Sequence, residues 1–365
     1  MKLHFYFARR FLWVFLGILA VFGLFQGLLD LIDEMRVLKD AVTFGQVVLL
    51  VGLKMPEGLY EVLPLVMILA TVALFIGLAR TSELVASRAA GRSGLATLMA
   101  PVTVAFLIGL LIVAVMNPIV AATSKRYSDL RESFVSGNTS ALSVGPEGLW
   151  LRQGSENGQS VIRASRANPE ATELYDVSIV NYAPDDGGPI LRLQADRAEL
   201  SDGAWHLTQA KAWPLNAGLN PELGAKEHAT YDLPSSLTRE SIRDRFGRPS
   251  AVAIWDLPGF ISGLEEAGFS ARRHTVWYNM ELARPLFLVA MVLVGAAFTM
   301  QPTRLGRTGV AVLSAVMLGF GLYYVRSFAQ IMGENGQLAP AIAAWVPPTA
   351  SVLLALGLVL HMEDG

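Results

Sequence analysis

Long apolar stretches fill both ends of the sequence, and alternating apolar and polar positions fill its middle. A bilayer core of about 30 Å takes about 20 mostly apolar helical residues to cross. Six runs meet or approach that length: Phe11–Leu29, broken by Gln26; Val62–Ala79, preceded by Pro56 and containing Pro64; Leu95–Met116; Pro285–Met300; Thr308–Val325, ending at Arg326; and Ala341–Leu360, with Pro347 and Pro348 inside it. A soluble helix apolar on every face would leave much of that surface in water, so six such runs predict six membrane-spanning helices. Between the third and fourth runs the period drops to two. Tyr175–Ile179, Leu191–Asp196 and Trp205–Thr208 alternate, and turn-forming clusters at Ser155–Gly158, Pro184–Pro189 and Ser201–Gly203 separate them. Regular short strands of this kind predict an inserted antiparallel β sandwich or jellyroll. Leu151, Ile162, Val177, Ile179, Leu191, Leu193 and Leu207 are its expected interior. After it, Leu257, Phe260, Ile261 and Leu264 return to helical spacing, which predicts an amphipathic connector lying at the membrane surface.

The expected fold is therefore an α-helical membrane protein of 3+3 spans with a β-jellyroll insertion. Spans one to three occupy 1–125, with a short helix near 80–92. The β domain occupies 126–254, the connector 255–281, and spans four to six 282–365.

Charge adds an orientation. Lys2, Arg9 and Arg10, then Arg80, Arg88 and Arg92, then Arg304 and Arg307 fall on one side of the predicted topology. By the bias of short cytoplasmic loops toward Lys and Arg, that side is the cytoplasm. Both termini are then expected inside, and residues from about 120 to 280 outside. Arg36, Lys39 and Lys54 run against the bias and are offset by Asp30, Asp33, Glu34 and Asp40.

Composition excludes several classes. Of 365 residues 53% are hydrophobic and 16% charged, against about 25% charged in soluble domains. A net charge of −2 gives no basic surplus for nucleic acid, and the absence of cysteine removes disulfides and thiol chemistry. No nucleotide-binding loop, His-Glu-x-x-His or Gly-x-Ser-x-Gly occurs, and the five histidines are scattered, so neither a metal nor a cofactor is expected. The apolar cores of the six runs hold no nucleophile and no paired carboxylates, which argues against an enzyme.

Two polar features stand out. Helical spacing puts Arg80, Glu83, Leu84 and Ser87 on one side of a short helix between spans two and three, with Arg88 following. Such a helix suits the docking of a cytoplasmic partner, or is an ordinary solvated loop. Arg326 lies roughly 27 Å along its span at 1.5 Å per residue, near the outer interface, at the level expected for Arg36 and Lys39. These cations suit pairing with phosphate, or snorkelling to headgroups.

The layout and several runs resemble the LptF/LptG permeases of the bacterial lipopolysaccharide exporter. Pro56–Pro64 resembles the family's entry into helix two, and Ser82–Val85 through Arg88–Gly91 its coupling helix. Gly148–Leu151 resembles the first strand of its β domain, Trp255–Pro258 and Ala267–Ser270 its connector, and Ala344–Pro347 the start of its last helix. Within the family, the acidic turn Asp30–Glu34 and the tail His361–Gly365 lie closer to the G branch. The resemblance implies a transport subunit of the inner membrane, without cofactor of its own. Its expected partners are a second permease, LptF, a pair of LptB ATPases that bind the ATP, and LptC, with LptA beyond it. Its cargo is lipopolysaccharide, drawn from the inner membrane toward the outer.

Residue by residue, the resemblance gives Glu83 a contact with an arginine of the ATPase, and Arg36 a contact with lipid phosphates or sugars. It also turns the β-domain interior, Leu151, Ile162, Val177, Ile179 and Leu193 among it, into a path for acyl chains. Asp30 departs from the pattern, since some members carry lysine there. The alternative is a membrane scaffold that transports nothing and whose β domain binds envelope proteins.

Overall fold

The computed structural model describes residues 2–38, 42–89, 91, 93–136, 142–145, 148–155, 158–168, 172–183, 188–201, 203–215, 220–235, 237, 249–266, 270–300 and 308–364. Among the described residues six helices are long and apolar enough to cross a membrane: α1 (Lys2–Leu38), α2 (Phe44–Arg80), a third that runs from α4 (Gly94–Leu111) through a π-helical turn (Ile112–Met116) into α5 (Asn117–Ser136), α7 (Arg272–Thr299), α8 (Thr308–Glu334) and α9 (Pro340–Asp364). The short α3 (Glu83–Ala89) lies between the second and third. The chain divides into two compact units. One holds the spans and residues 253–255; the other holds residues 131–252 and 256–271.

The spans outrun their apolar cores. α2 begins 18 residues before Val62, where Thr43 and Gln46 form a capping box and the Thr43 N–H donates to Gln46 Oε1 at 2.7 Å. Pro56 and Pro64 lie inside it, as prolines can in a packed membrane helix. α7 begins 13 residues before Pro285 and so contains Glu281 and Arg284; Arg326 lies inside α8 rather than at its end. Hydropathy stops at the first charge, whereas a helix continues wherever that charge finds a partner in the bundle.

α7 is the axis of this unit, buried along nearly its whole length, and α2 packs beside it. Phe287, Leu288, Met291 and Val294 meet Met67, Ile68, Leu74 and Phe75 in the core. Close approach needs small residues. A Cβ on Gly109 of α4 would stand 2.6 Å from the Pro285 Cα, so that crossing requires glycine. α1 and α8 lie at the periphery and leave rows of large apolar side chains exposed, Phe25, Leu28 and Ile32 on α1 and Met317, Tyr324 and Phe328 on α8.

In the second unit, seven strands, β1 (Leu142–Gly145), β2 (Gly148–Ser155), β3 (Gly158–Ala167), β4 (Glu173–Tyr182), β5 (Pro189–Ser201), β6 (Ala204–Pro214) and β7 (Lys226–Pro234), form one antiparallel sheet in sequence order. This sharpens the expected jellyroll. Each described strand pairs with its neighbour in sequence, as short turns favour, and none crosses to a second sheet. The register aligns one inward row, Leu151 with Ile162, Ile162 with Ile179, Ile179 with Leu193 and Leu193 with Ala212. A second row runs Leu149, Ala164, Val177, Ala195. The connector forms as α6 (Leu257–Glu266). Its apolar face does not lie free for a membrane surface: Leu264, Phe260 and Ile261 close on the core of the sheet with Trp205 and Leu207.

Candidate functional site

Polar side chains inside the membrane-spanning unit gather in layers, and the sequence had shown only parts of them. The first lies where α2 turns into α3. Thr81 caps the end of α2, and Ser82 takes a left-handed backbone (φ 56°) that breaks the helix between Arg80 and Glu83. Glu83 then opens α3. Its carboxylate accepts from Arg10 Nη1 at 2.7 Å, Tyr6 Oη at 2.9 Å and Thr81 Oγ1 at 2.8 Å. Tyr6 and Arg10 stand one turn apart on α1, and Arg10 also donates to Tyr6 Oη at 2.9 Å. Partial burial disfavours the Glu83 anion, yet the hydrogen bonds from Arg10, Thr81 and Tyr6 together outweigh it and hold the carboxyl below its ordinary range.

The predicted docking face divides here. Arg80 is exposed and Glu83 half-exposed, but Leu84 and Ser87 turn inward, 3% and 4% exposed, with Ser87 Oγ 3.3 Å from Thr97 Oγ1 of α4. These two fasten α3 to the bundle and present nothing to a partner. Val85 and Ala86 are exposed instead. Arg88 belongs to α3, but its side chain lies outside the described residues.

The second layer lies on α7 just before the apolar run that starts at Pro285. Glu281 is fully buried. Arg284 Nε donates to Glu281 Oε2 at 3.0 Å, its Nη2 reaches the other oxygen at 2.5 Å, and Tyr60 of α2 donates to the same carboxylate. The Arg284 guanidinium also lies 3.9 Å from the centre of the Tyr60 ring and reaches the Tyr60 carbonyl at 3.4 Å. Asn117, the first residue after the π turn, donates to Tyr60 Oη at 3.5 Å and accepts the Ile254 N–H at 2.8 Å. The π turn also offers the Ala114 carbonyl to Trp255 Nε1 at 3.2 Å. Glu281 and Arg284, three apart and on the edge of an apolar run, carried the signal for this layer: a helical ion pair at a span boundary.

Arg326 is 8% exposed, stacks 5.1 Å over Phe287, and lies within electrostatic reach of Glu281 and Arg284. Among the described residues it has no hydrogen bond or ion pair of its own. Glu281, Arg284 and Arg326 together leave one positive charge in this layer. Near it, α2 and α8 border a groove of about 220 Å³, lined by Glu61, Leu65, Phe320 and Tyr323.

A third layer ties α1 to α2 and α5. Asp30 accepts from Lys54 Nζ at 2.7 Å, Tyr127 donates to Glu34, and Ser124 Oγ donates to Glu57 at 3.1 Å. Asp30 and Glu34, expected in the outer loop, lie instead on the continuation of α1 and are buried in the bundle. Arg36 lies two residues beyond Glu34, is exposed and does not join this layer; Lys39 lies outside the described residues.

In the β unit, Leu151, Ile162, Val177, Ile179 and Leu193 are at most 1% exposed and pack as a closed core. Contact with a ligand there would require the sheet to open. Among the described residues no cluster of His, Asp and Glu has a metal-binding arrangement.

Comparison with known proteins places this architecture. A family model described as "Lipopolysaccharide export system permease LptF/LptG" matches residues 5–361. The chain is 23% identical over 358 residues to the lipopolysaccharide export system permease protein LptG of Haemophilus influenzae, covering 96% of each chain. It is 22% identical over 342 residues to the protein of the same name in Escherichia coli K12, covering 92% of this chain and 91% of that one.

Proposed function

This chain belongs to the LptF/LptG family of lipopolysaccharide export permeases, a multi-pass inner-membrane protein, and on that premise we propose that it is one half of a lipid-exporting transporter. It draws lipopolysaccharide from the inner membrane and passes it to a periplasmic bridge. A second permease, LptF, completes the cavity, and a pair of LptB ATPases docks where α2 turns into α3 and binds the ATP; LptC receives the lipid and LptA follows. Both termini and α3 then face the cytoplasm, and the β domain stands in the periplasm. The observation that carries the reading is a family match running unbroken through both groups of spans and the insertion between them.

The polar layers fit that role. A transporter needs a rigid scaffold against which another part moves, and the Glu281–Arg284–Tyr60 network supplies one between α2 and α7. It also needs a cation where an anionic headgroup arrives. Arg326, buried without a carboxylate of its own, suits a phosphate in an environment where water competes weakly. Arg36, exposed on the last turn of α1, suits the same headgroup from the periphery.

The test is recovery of the tagged chain from detergent-solubilised membranes, with mass spectrometry of the proteins and lipids bound to it. A second six-span permease, a soluble ATPase and lipopolysaccharide together are the expected outcome. Recovery of envelope proteins with neither ATPase nor lipopolysaccharide would overturn the reading in favour of a scaffold. Photocrosslinkers at positions 36 and 326 sharpen it: both should capture lipopolysaccharide, and capture of ordinary phospholipid alone would return the two arginines to snorkelling.

A further inference from the structure

The Glu83 carboxylate is already occupied within the chain. Arg10 and Thr81 donate to Oε1 and Tyr6 to Oε2, and two of the three come from α1, more than 70 residues away in sequence. α1 is a peripheral span. Its mid-length contacts with α2 are of small or flexible side chains, Gly23 against Leu59 and Gly27 against Met55. The specific polar ties of α1 among the described residues lie toward its two ends: Tyr6 and Arg10 on Glu83, and Asp30 and Glu34 on Lys54 and Tyr127. The first tie is 29% and 31% exposed at its two side chains, so an incoming cation can reach it.

We infer that Arg10 and Tyr6 are positioning residues of the transport cycle, holding Glu83 against α1 until a cation of the docking ATPase takes the carboxylate and releases the polar tie, which leaves this half of α1 held only by the packing of Phe7 and Phe11 in the core. This rests on the docking reading given above. A carboxylate has room for several donors, but Glu83 already accepts three. Oε1 already accepts from both Arg10 and Thr81, so a guanidinium that bridges the two carboxylate oxygens must displace one of them, and Arg10 carries the charge with which it competes. Docking and the position of α1 are then linked in both directions: what loosens α1 strengthens docking, and docking loosens α1. The depressed proton affinity of Glu83 keeps the contested group ionised at neutral pH. α3 itself stays in place through the exchange, because Leu84 and Ser87 anchor it independently of Glu83.

The experiment uses the full chain, assembled with its second permease in lipid nanodiscs, and the ATPase recovered with it as the probe. Two quantities are read: the affinity of the ATPase for the permease pair, and the distance between spin labels on single cysteines at Trp13 of α1 and Met99 of α4, both exposed and off the docking helix in a chain without cysteine. Arg10→Gln should tighten ATPase binding by up to about five-fold, the equivalent of about 1 kcal/mol for a competing exposed ion pair. It should also lengthen the resting label distance to the value that the wild type shows only with ATPase bound. Arg10→Lys should restore the wild-type behaviour in part. Weaker or unchanged binding in Arg10→Gln, with an unchanged distance, overturns the inference. Glu83→Ala separates this from the reading beneath it. Weakened binding in that variant keeps the docking reading whatever Arg10 does, and unchanged binding removes Glu83 from docking altogether.

Discussion

Two glutamates in this protein are held in the same way at two depths. Glu281 is bound by Arg284 and Tyr60, and Glu83 by Arg10 and Tyr6. Each has one guanidinium and one phenol. Glu281 is fully buried, whereas the Glu83 side chain is 31% exposed. The difference decides what each can be used for. Removing one partner of a buried pair strands a charge away from water, so that network can only be kept intact. Breaking a half-exposed pair hands both groups back to water at little cost, so that contact can open and close within a cycle. The first suits a scaffold between α2 and α7, the second a joint between α1 and α3.

The sharpest way to break the comparison is to remove Glu281. Glu281→Ala should destabilise the chain by about 3–5 kcal/mol, seen as loss of monodisperse protein and a lower thermal midpoint in detergent. The double variant Glu281→Leu with Arg284→Met should recover most of that loss, because no charge is left stranded. A double variant as unstable as the single one would mean that shape, not charge, governs the site.

The two tyrosines give a second, smaller contrast. Tyr60→Phe withdraws a donor from a buried carboxylate and an acceptor from Asn117, and should cost about 1–3 kcal/mol. Tyr6→Phe, at the exposed copy, should change the thermal midpoint little. Arg10→Gln and Glu83→Gln should each stay within about 1 kcal/mol of wild type in stability, while changing ATPase binding.

The smallest effect is in pH. The proton affinity of Glu83 is depressed in the folded chain, so the stability that its hydrogen bonds contribute is present above the ordinary carboxyl value of 4.5 and is lost as pH falls through the lower folded value. The label distance between α1 and α4 should therefore hold from neutral pH down to 4.5 and lengthen only below it.

Much of this molecule was legible along the chain. Leu191–Asp196 and Tyr175–Ile179 gave their strands by alternation alone, since a sheet with one buried face imposes a period of two on any sequence that forms it. The six apolar runs gave six spans for an equally local reason: the cost of exposing backbone and charge to lipid is summed residue by residue. Helix ends were not legible, because the residues that extend them are charged and are paid for by partners far away, Glu281 by Tyr60 and Asp30 by Lys54.

The short helix between spans two and three shows the same boundary most clearly. Its existence, and the presence of Glu83 on it, followed from the sequence, whereas its start at Glu83, with Arg80 closing the helix before it, did not. Which of its faces was free did not. Spacing grouped Leu84 and Ser87 with Glu83, but packing on α4 turned those two inward and gave the carboxylate to α1. Periodicity fixes which residues share a helix face, and so the sequence alone determined the spans, the strands and the candidate carboxylate. A face acquires its neighbour only when distant segments come together, and so the tertiary structure alone decided that Glu281 would be locked and Glu83 left within reach.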